Sequence, residues 1–332
     1  MVNFTERRLK ELFDNFKGRR VAVVGDLMLD RYFWGSVARV SPEAPVPVVE
    51  VESESARLGG AANVAHNIKS LGAEPILIGV VGKDNSGDLL RDLLIENKFS
   101  TSGLIVDETR PTTVKTRVIA HNQHVVRIDR ETKTEISYTL QHRALDVLRQ
   151  NIHSLDAIII EDYDKGVIVK SLIKQIVDLA NESKKIVTAD PKFNNFFEYR
   201  GVTVFKPNRK EVEEVMGIRL LDEGTVSEVG KALLERLQAK NVLLTRGEKG
   251  ITLFEGDGTV THVATKARRV ADVSGAGDTV ISTLTVALAS GASTREAAAL
   301  ANYAGGVVCE EVGIMPINRE ALFSAVMMDS VA

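Results

Sequence analysis

A single cysteine, Cys309, stands among 332 residues. It permits neither an internal disulfide nor a thiolate metal cluster, fits a reducing cytoplasm, and reads as a small buried apolar residue on a helix. Charge of one sign is equally scarce, with 42 Lys and Arg against 45 Asp and Glu and a formal net charge of −3. That balance offers no general attraction to nucleic acid or to an anionic membrane, so an anionic substrate must be caught by a local cluster. No apolar run approaches the roughly 18 residues of a membrane span, and the opening MVNFTERRLKELFDNFKGRR has no signal-peptide core and reads as an amphipathic helix. The patterns GxxxxGK[ST], GxGxxG and HExxH do not occur, which removes the phosphate-loop, dinucleotide and zinc-hydrolase readings. His66, His121, His124, His142, His153 and His262 are scattered without metal-ligand spacing.

What the chain does have is a rhythm. Continuous apolar runs next to Gly, Asp or Pro recur at Val21 to Asp26, Pro75 to Gly82, Asp156 to Tyr163, Lys185 to Pro191, Val202 to Asn208 and Asn241 to Gly247. Such runs suit strands buried on both faces. Helical patterns lie between them, at 62–71, 86–97, 137–152, 169–183 and 227–238. Strand and helix in alternation predict an α/β fold with a mainly parallel central sheet covered by helices, and ligands at the C-terminal ends of its strands. Pro45 to Leu58 and Thr113 to Glu131 instead alternate apolar and polar residues, the second turning at Asn122-Gln123. They predict a small sheet with one wet face. A third alternating pair, Ile251 to Thr265, turns at GDG and extends the edge of the main sheet. Without repeats or a long linker, the small sheet reads as an insertion into one domain spanning 1–332 rather than as a neighbour beside it.

Three segments carry chemistry. In DVSGAGDTVISTLTVALASG (Asp272 to Gly291), Gly275, Ala276 and Gly277 precede an apolar helix, so their N–H groups and the helix dipole can face an anion. Asp278 either caps that helix or takes a proton while a phosphoryl group is transferred. In GGAANVAHNIKSLG (Gly59 to Gly72), Gly59 and Gly60 let backbone approach a ligand and Asn63 offers a donor and an acceptor to hydroxyls; a tight turn with close helix packing is the plain alternative. In KPNRKEVEEVMG (Lys206 to Gly217), Asn208 and Glu211 form a capping-box pattern and stand where phosphates and magnesium waters could also be addressed.

GG with Asn63, KPN with Glu211, TRGEKG (Thr245 to Gly250) and GAGD before an apolar helix together resemble the ribokinase-like (PfkB) carbohydrate kinases, in order and spacing over essentially the whole chain. The resemblance implies a three-layer α/β sandwich with a small β lid, here from about 32–58 and 108–131. Gly25 to Val51, EDYDKGV (Glu161 to Val167) and Asp190 to Asn208 resemble, within that family, the kinases of heptose 7-phosphate, which are often fused to an adenylyltransferase. An HxGH nucleotidyltransferase signature is missing, so the resemblance implies the kinase step alone. DVSGAGD departs from the more usual DTxGAGD, with Ser274 available to cap the helix, and EDYDKG adds an acid at Glu161.

The implied reaction is ATP-dependent phosphorylation of the anomeric hydroxyl of D-glycero-D-manno-heptose 7-phosphate, in lipopolysaccharide-core biosynthesis. A kinase for another sugar or nucleoside, or a non-catalytic sugar or nucleotide sensor, would share the fold. The resemblance makes Asp278 the base and Gly275 to Gly277 the anion hole. Asp26 and Asp30, with Gly59, Gly60 and Asn63, hold sugar hydroxyls. Arg39, Arg117, Arg127, Lys165 and Lys192 are candidates for the sugar phosphate. Asn208, Glu211, Thr245 and Gly247 address ATP and Mg2+, Glu211 through water, and Asn302 borders the adenine. Apolar Val46, Val48 and Val51 on a lid edge predict a homodimer. Partners are then a sugar phosphate and ATP, without nucleic acid or membrane, in the cytoplasm.

Overall fold

Val21 and Val23 of the first strand, β1 (Arg20–Gly25), pack into one apolar core, while Ala22 and Val24 pack into a second core on the opposite face. Ala157 and Ile159 divide from Ile158 and Ile160 in the same way. A strand that feeds two cores has no wet face, which is why these runs are apolar without alternation. The computed structural model describes residues 2, 4–121, 123–265, 271–311 and 313–330.

After β1 follow β2 (Leu27–Val40), β3 (Pro47–Gly60), β4 (Glu74–Gly82), β5 (Leu104–Asp107), β6 (Thr113–Ala120) and β7 (Gln123–Arg130). The second half supplies β8 (Ala157–Glu161), β9 (Ile186–Asp190), β10 (Val204–Phe205), β11 (Asn241–Thr245), β12 (Ile251–Glu255) and β13 (Val260–Val263). Among the described residues they form two sheets, one in the order β13-β12-β11-β10-β9-β8-β1-β4-β5 and one in the order β3-β2-β6-β7. In the first, only β12 and β13 run antiparallel to their neighbours, as the GDG hairpin predicts. The turn expected at Asn122-Gln123 includes Asn122, which lies outside the described residues. β5 escaped the sequence reading because four residues give too little pattern, and β10 is shorter than its apolar run because Pro207 has no N–H to continue the ladder.

The helices are α1 (Glu6–Phe16), α2 (Ala61–Ser70), α3 (Asn85–Glu96), α4 (Tyr138–Asn151), α5 (Lys170–Glu182), α6 (Arg209–Met216), α7 (Glu223–Leu237), α8 (Ala276–Ala289), α9 (Thr294–Val308) and α10 (Arg319–Ser330). Side chains of α1, α2, α3, α8, α9 and α10 fill the first core, and those of α4, α5, α6 and α7 fill the second. The result is the predicted α/β/α sandwich. α8 is buried along most of its length, and several of its hydroxyls turn back on the helix, as where Ser282 donates to the Asp278 carbonyl at 2.6 Å and Thr285 to that of Ile281 at 2.8 Å, while the Thr283 hydroxyl is buried without a partner among the described residues. Among the described residues no helix is long and apolar enough to cross a membrane.

Candidate active site

Strand order reverses between β1 and β8: from β1 the chain builds outward through β4 and β5, then returns to β8 and builds the other way. A crevice opens outside the C-terminal ends of parallel strands at such a point. Glu161 ends β8, Asp190 ends β9, Lys206 follows β10 and Thr245 ends β11. Above these ends lies a cavity of about 690 Å³, lined among others by Asp190, Lys206, Thr245, Asn302 and the Gly275 to Asp278 turn. Gly275 sits at φ 79°, a left-handed conformation that only glycine adopts without strain, and that turn aims the first N–H groups of α8 at the cavity.

Asp278, on the first turn of α8, is 3% exposed. It does not cap the helix: the cap position is Gly275, and no side chain caps it, Ser274 included. Instead its carboxylate is held from two directions. Tyr163 donates its hydroxyl to Oδ1 at 2.5 Å, and Asn63 donates Nδ2 to Oδ2 at 2.7 Å. Burial pushes the carboxyl up to about 6, against the pull of those two hydrogen bonds. A carboxylate has about four acceptor sites, so Asp278 can still receive a proton facing the cavity. The Tyr163 phenol is held well above its ordinary value by burial and by the Asp278 charge, so it stays a donor.

Next to this carboxylate, Lys206 is 2% exposed and pairs with Asp190 at 2.7 Å. A Cβ on Gly277 would stand 3.6 Å from the Lys206 Nζ and 3.7 Å from Asp190 Oδ2, which places the pair against the N-terminus of α8. Asp190 raises the Lys206 ammonium above its usual value in spite of burial, so it remains charged beside the anion hole. Magnesium fits the donors present. Asp190 Oδ1 and both Glu161 oxygens are buried without a hydrogen-bond partner among the described residues. One or two such carboxylates beside substrate phosphates suit a Mg2+ ion, which keeps several of its waters.

The structure divides the predicted site residues. Asn208, Thr245, Gly247 and Asn302 line the cavity with Gly275, Ala276, Gly277 and Asp278, while Asn302 also donates to the Ala264 carbonyl at 2.7 Å. Asn208 and Glu211 complete a capping box at the start of α6. Glu211 also pairs with Lys192 and does not line the cavity; burial raises its carboxyl. Asp30 lies inside β2, paired with Arg117. A Cβ on Gly59 would fall 2.0 Å from Asp30 Oδ2, so only glycine lets β3 pass this carboxylate, and one on Gly60 would fall 2.5 Å from the Asp26 carbonyl.

One expectation changes, and two cations lie at the exposed part of the second sheet. Asp26, 1% exposed, spends its carboxylate on the N–H groups of Tyr163, Lys165 and Val167 at 2.7, 3.2 and 3.1 Å, so it shapes the 162–167 loop rather than presenting oxygens to a sugar. Arg39 is exposed nine residues beyond Asp30 on β2, roughly 30 Å away at about 3.3 Å per residue. Arg127 is 59% exposed and pairs with Asp129. Of the other cations, Lys165 pairs with Glu131 at 2.8 Å and Lys192 lies 5.2 Å from the Tyr163 ring centroid.

A family model described as pfkB family carbohydrate kinase matches residues 19–320. The chain belongs to that family. Among the curated relatives it matches are proteins called bifunctional protein HldE: that of Desulfatibacillum aliphaticivorans is 43% identical over 307 residues, covering 92% of this chain and 63% of that protein. That of Geobacter metallireducens is 41% identical over 312 residues, covering 94% and 64%. The chain thus spans less than two thirds of these relatives. Among solved structures, Arabidopsis thaliana ribokinase complexed with ribose and ATP aligns with a TM-score of 0.73 at 18% identity, over 93% of this chain and 99% of that one. Escherichia coli phosphofructokinase-2 aligns at 0.75 and 16%, over 93% and 98%. These two show the ribokinase-like fold.

Sequence reasoning about this sugar-kinase family member missed Tyr163, Asp190 and Lys206. All three sit in segments it quoted, at the ends of buried strands, and the signal available was an ionisable or polar side chain directly after an apolar run.

Proposed function

We propose that this pfkB-family chain is an ATP-dependent kinase acting on the anomeric hydroxyl of D-glycero-D-manno-heptose 7-phosphate. The observation that carries the reading is Asp278: a buried carboxylate, oriented by Tyr163 and Asn63, facing the same cavity as the N-terminal N–H groups of α8. The hydroxyl oxygen attacks the γ-phosphorus of ATP, the bond to the β,γ-bridging oxygen breaks, and Asp278 takes the hydroxyl proton. The α8 N–H groups and Lys206 stabilise charge on the transferring phosphoryl group. Asn208, Thr245 and Gly247 hold the nucleotide phosphates and Asn302 borders the base. Bound magnesium, held through Asp190 and Glu161 with Glu211 behind them, would neutralise charge on those phosphates.

The choice of heptose rests on the EDYDKG and DPKFNN segments and on the cations Lys115 and Lys192 beside the Tyr163 ring, with Arg117 paired to Asp30. The relatives are named as bifunctional, and a chain covering 63–64% of them fits one of two functions residing in this stretch. The second sheet, as a lid, exposes Val51 and Ile128 at 54 and 57%, and Val46 in the turn before β3 at 51%, apolar exposure that supports a homodimer through the lid. Such a kinase works in the cytoplasm, where ATP is available. The test is ADP release with heptose 7-phosphate, fructose 6-phosphate, ribose and adenosine. The proposal predicts that heptose 7-phosphate gives the highest kcat/KM. A preference for an unphosphorylated sugar sinks the heptose assignment, and no ADP with any acceptor makes the chain a sensor rather than a kinase.

A further inference from the structure

The pleat of the second sheet sends alternate side chains to one face, and the strand register sorts their charges into rows. Arg57, Asp30, Lys115 and Asp129 are successive cross-strand neighbours on β3, β2, β6 and β7, so they leave on one face. Two residues along, Tyr32, Arg117 and Arg127 stand on that same face. The acids here are already matched. Arg117 takes Asp30, Arg127 takes Asp129 at 2.9 Å and Lys165 takes Glu131 at 2.8 Å. Arg57 donates to the Ile314 carbonyl at 2.9 Å.

Lys115 is the cation left over. It has no hydrogen bond or ion pair among the described residues, is half-buried, and lies 5.2 Å from the centroid of the Tyr163 ring. Burial lowers its proton affinity in spite of Asp30, Asp129 and Glu131 nearby. A compact, strongly hydrated ammonium held this way is poorly compensated by an aromatic face alone. Its place is informative as well. Lys192, at the same distance from the Tyr163 ring, lines the nucleotide cavity, and Lys115 does not. Tyr163 itself donates to Asp278, so Lys115 approaches the catalytic carboxylate from the side of the second sheet.

We propose that Lys115 binds the phosphate of the acceptor sugar and gives the enzyme its preference for a phosphorylated sugar over the same sugar without phosphate. The inference rests on the acceptor assigned above. The experiment is calorimetric titration of the wild-type chain, Lys115→Met and Lys115→Arg with heptose 7-phosphate and with unphosphorylated heptose, each with an ATP titration as a control for an intact cavity. Loss of one charge-assisted contact lowers affinity about 10- to 100-fold. The affinity ratio of phosphorylated to unphosphorylated sugar is expected to fall by that factor in Lys115→Met and to be mostly retained in Lys115→Arg. A ratio unchanged in Lys115→Met, or both sugars weakened equally, overturns the inference alone. A wild-type chain that binds both sugars equally overturns the acceptor assignment as well.

Discussion

Replacing Tyr163 by Phe removes one hydroxyl and leaves the ring on which Lys115 and Lys192 rest. The hydroxyl donates to a carboxylate that burial has already pushed up to about 6, and with Asn63 and the Lys206 charge it pulls that value down. A hydrogen bond to a charged group contributes about 1.5 to 3 kcal/mol, and 1.36 kcal/mol corresponds to one pH unit, so the substitution raises the Asp278 carboxyl by about one to two units. The ionised form is the base, so activity is present above this value and lost as pH falls through it. Wild-type kcat/KM should therefore drop below about pH 6. In Tyr163→Phe the drop moves to about pH 7 to 8, which costs about two- to tenfold at pH 7 and little at pH 9. The assay is kcat/KM for the sugar from pH 5 to 9, with ATP saturating. A uniform loss at every pH, or an acid limb that stays in place, refutes the claim that Tyr163 acts by holding the Asp278 carboxylate.

Other parts of the site respond differently. Asp26→Ala leaves three backbone N–H groups of the 162–167 loop without their acceptor, which should cost about 3 kcal/mol or more in urea unfolding at neutral pH; a loss under about 1 kcal/mol contradicts the role given to Asp26. Gly59→Ala puts a methyl group 2.0 Å from Asp30 Oδ2, so β3 must move away from the sugar side of the site. The expected outcome is a KM for the sugar raised about tenfold or more, with ATP affinity retained, since burying one added atom group in a packed site typically costs about 1 to 3 kcal/mol. Unchanged sugar kinetics would show that this close approach does not shape the pocket.

The sandwich was legible in the sequence because a strand serving two cores must be apolar throughout, and Val21 to Val24 and Ala157 to Ile160 show that directly. The turn before α8 was legible because glycine spacing and an acid at the helix start are local features. The capping box of Asn208 and Glu211 was legible, and Asn208 lines the cavity as well, whereas Glu211 does not. What stayed hidden depends on partners distant in the chain. Asp26 looks like a free carboxylate until a loop 137 residues later spends it, as where the Tyr163 N–H reaches it. Lys115 looks like any strand lysine until the register matches every acid around it to another cation. Where Arg39 and Arg127 stand, the first exposed near the end of β2 and the second opposite Arg117 and paired with Asp129, is set by strand length and register, which the sequence does not spell out.

Asp278→Asn tests the central claim most directly. The amide preserves shape and can still meet Asn63 and Tyr163 after rotation, yet it takes no proton at neutral pH. A positioned general base contributes about 10²- to 10⁴-fold, so ADP release in the presence of the preferred sugar should fall by at least 100-fold, with ATP affinity and unfolding midpoint close to wild type. Turnover within a few-fold of wild type in a variant that still binds ATP would contradict the assignment of Asp278 as the base and, with it, the account of the cavity as a phosphoryl-transfer site.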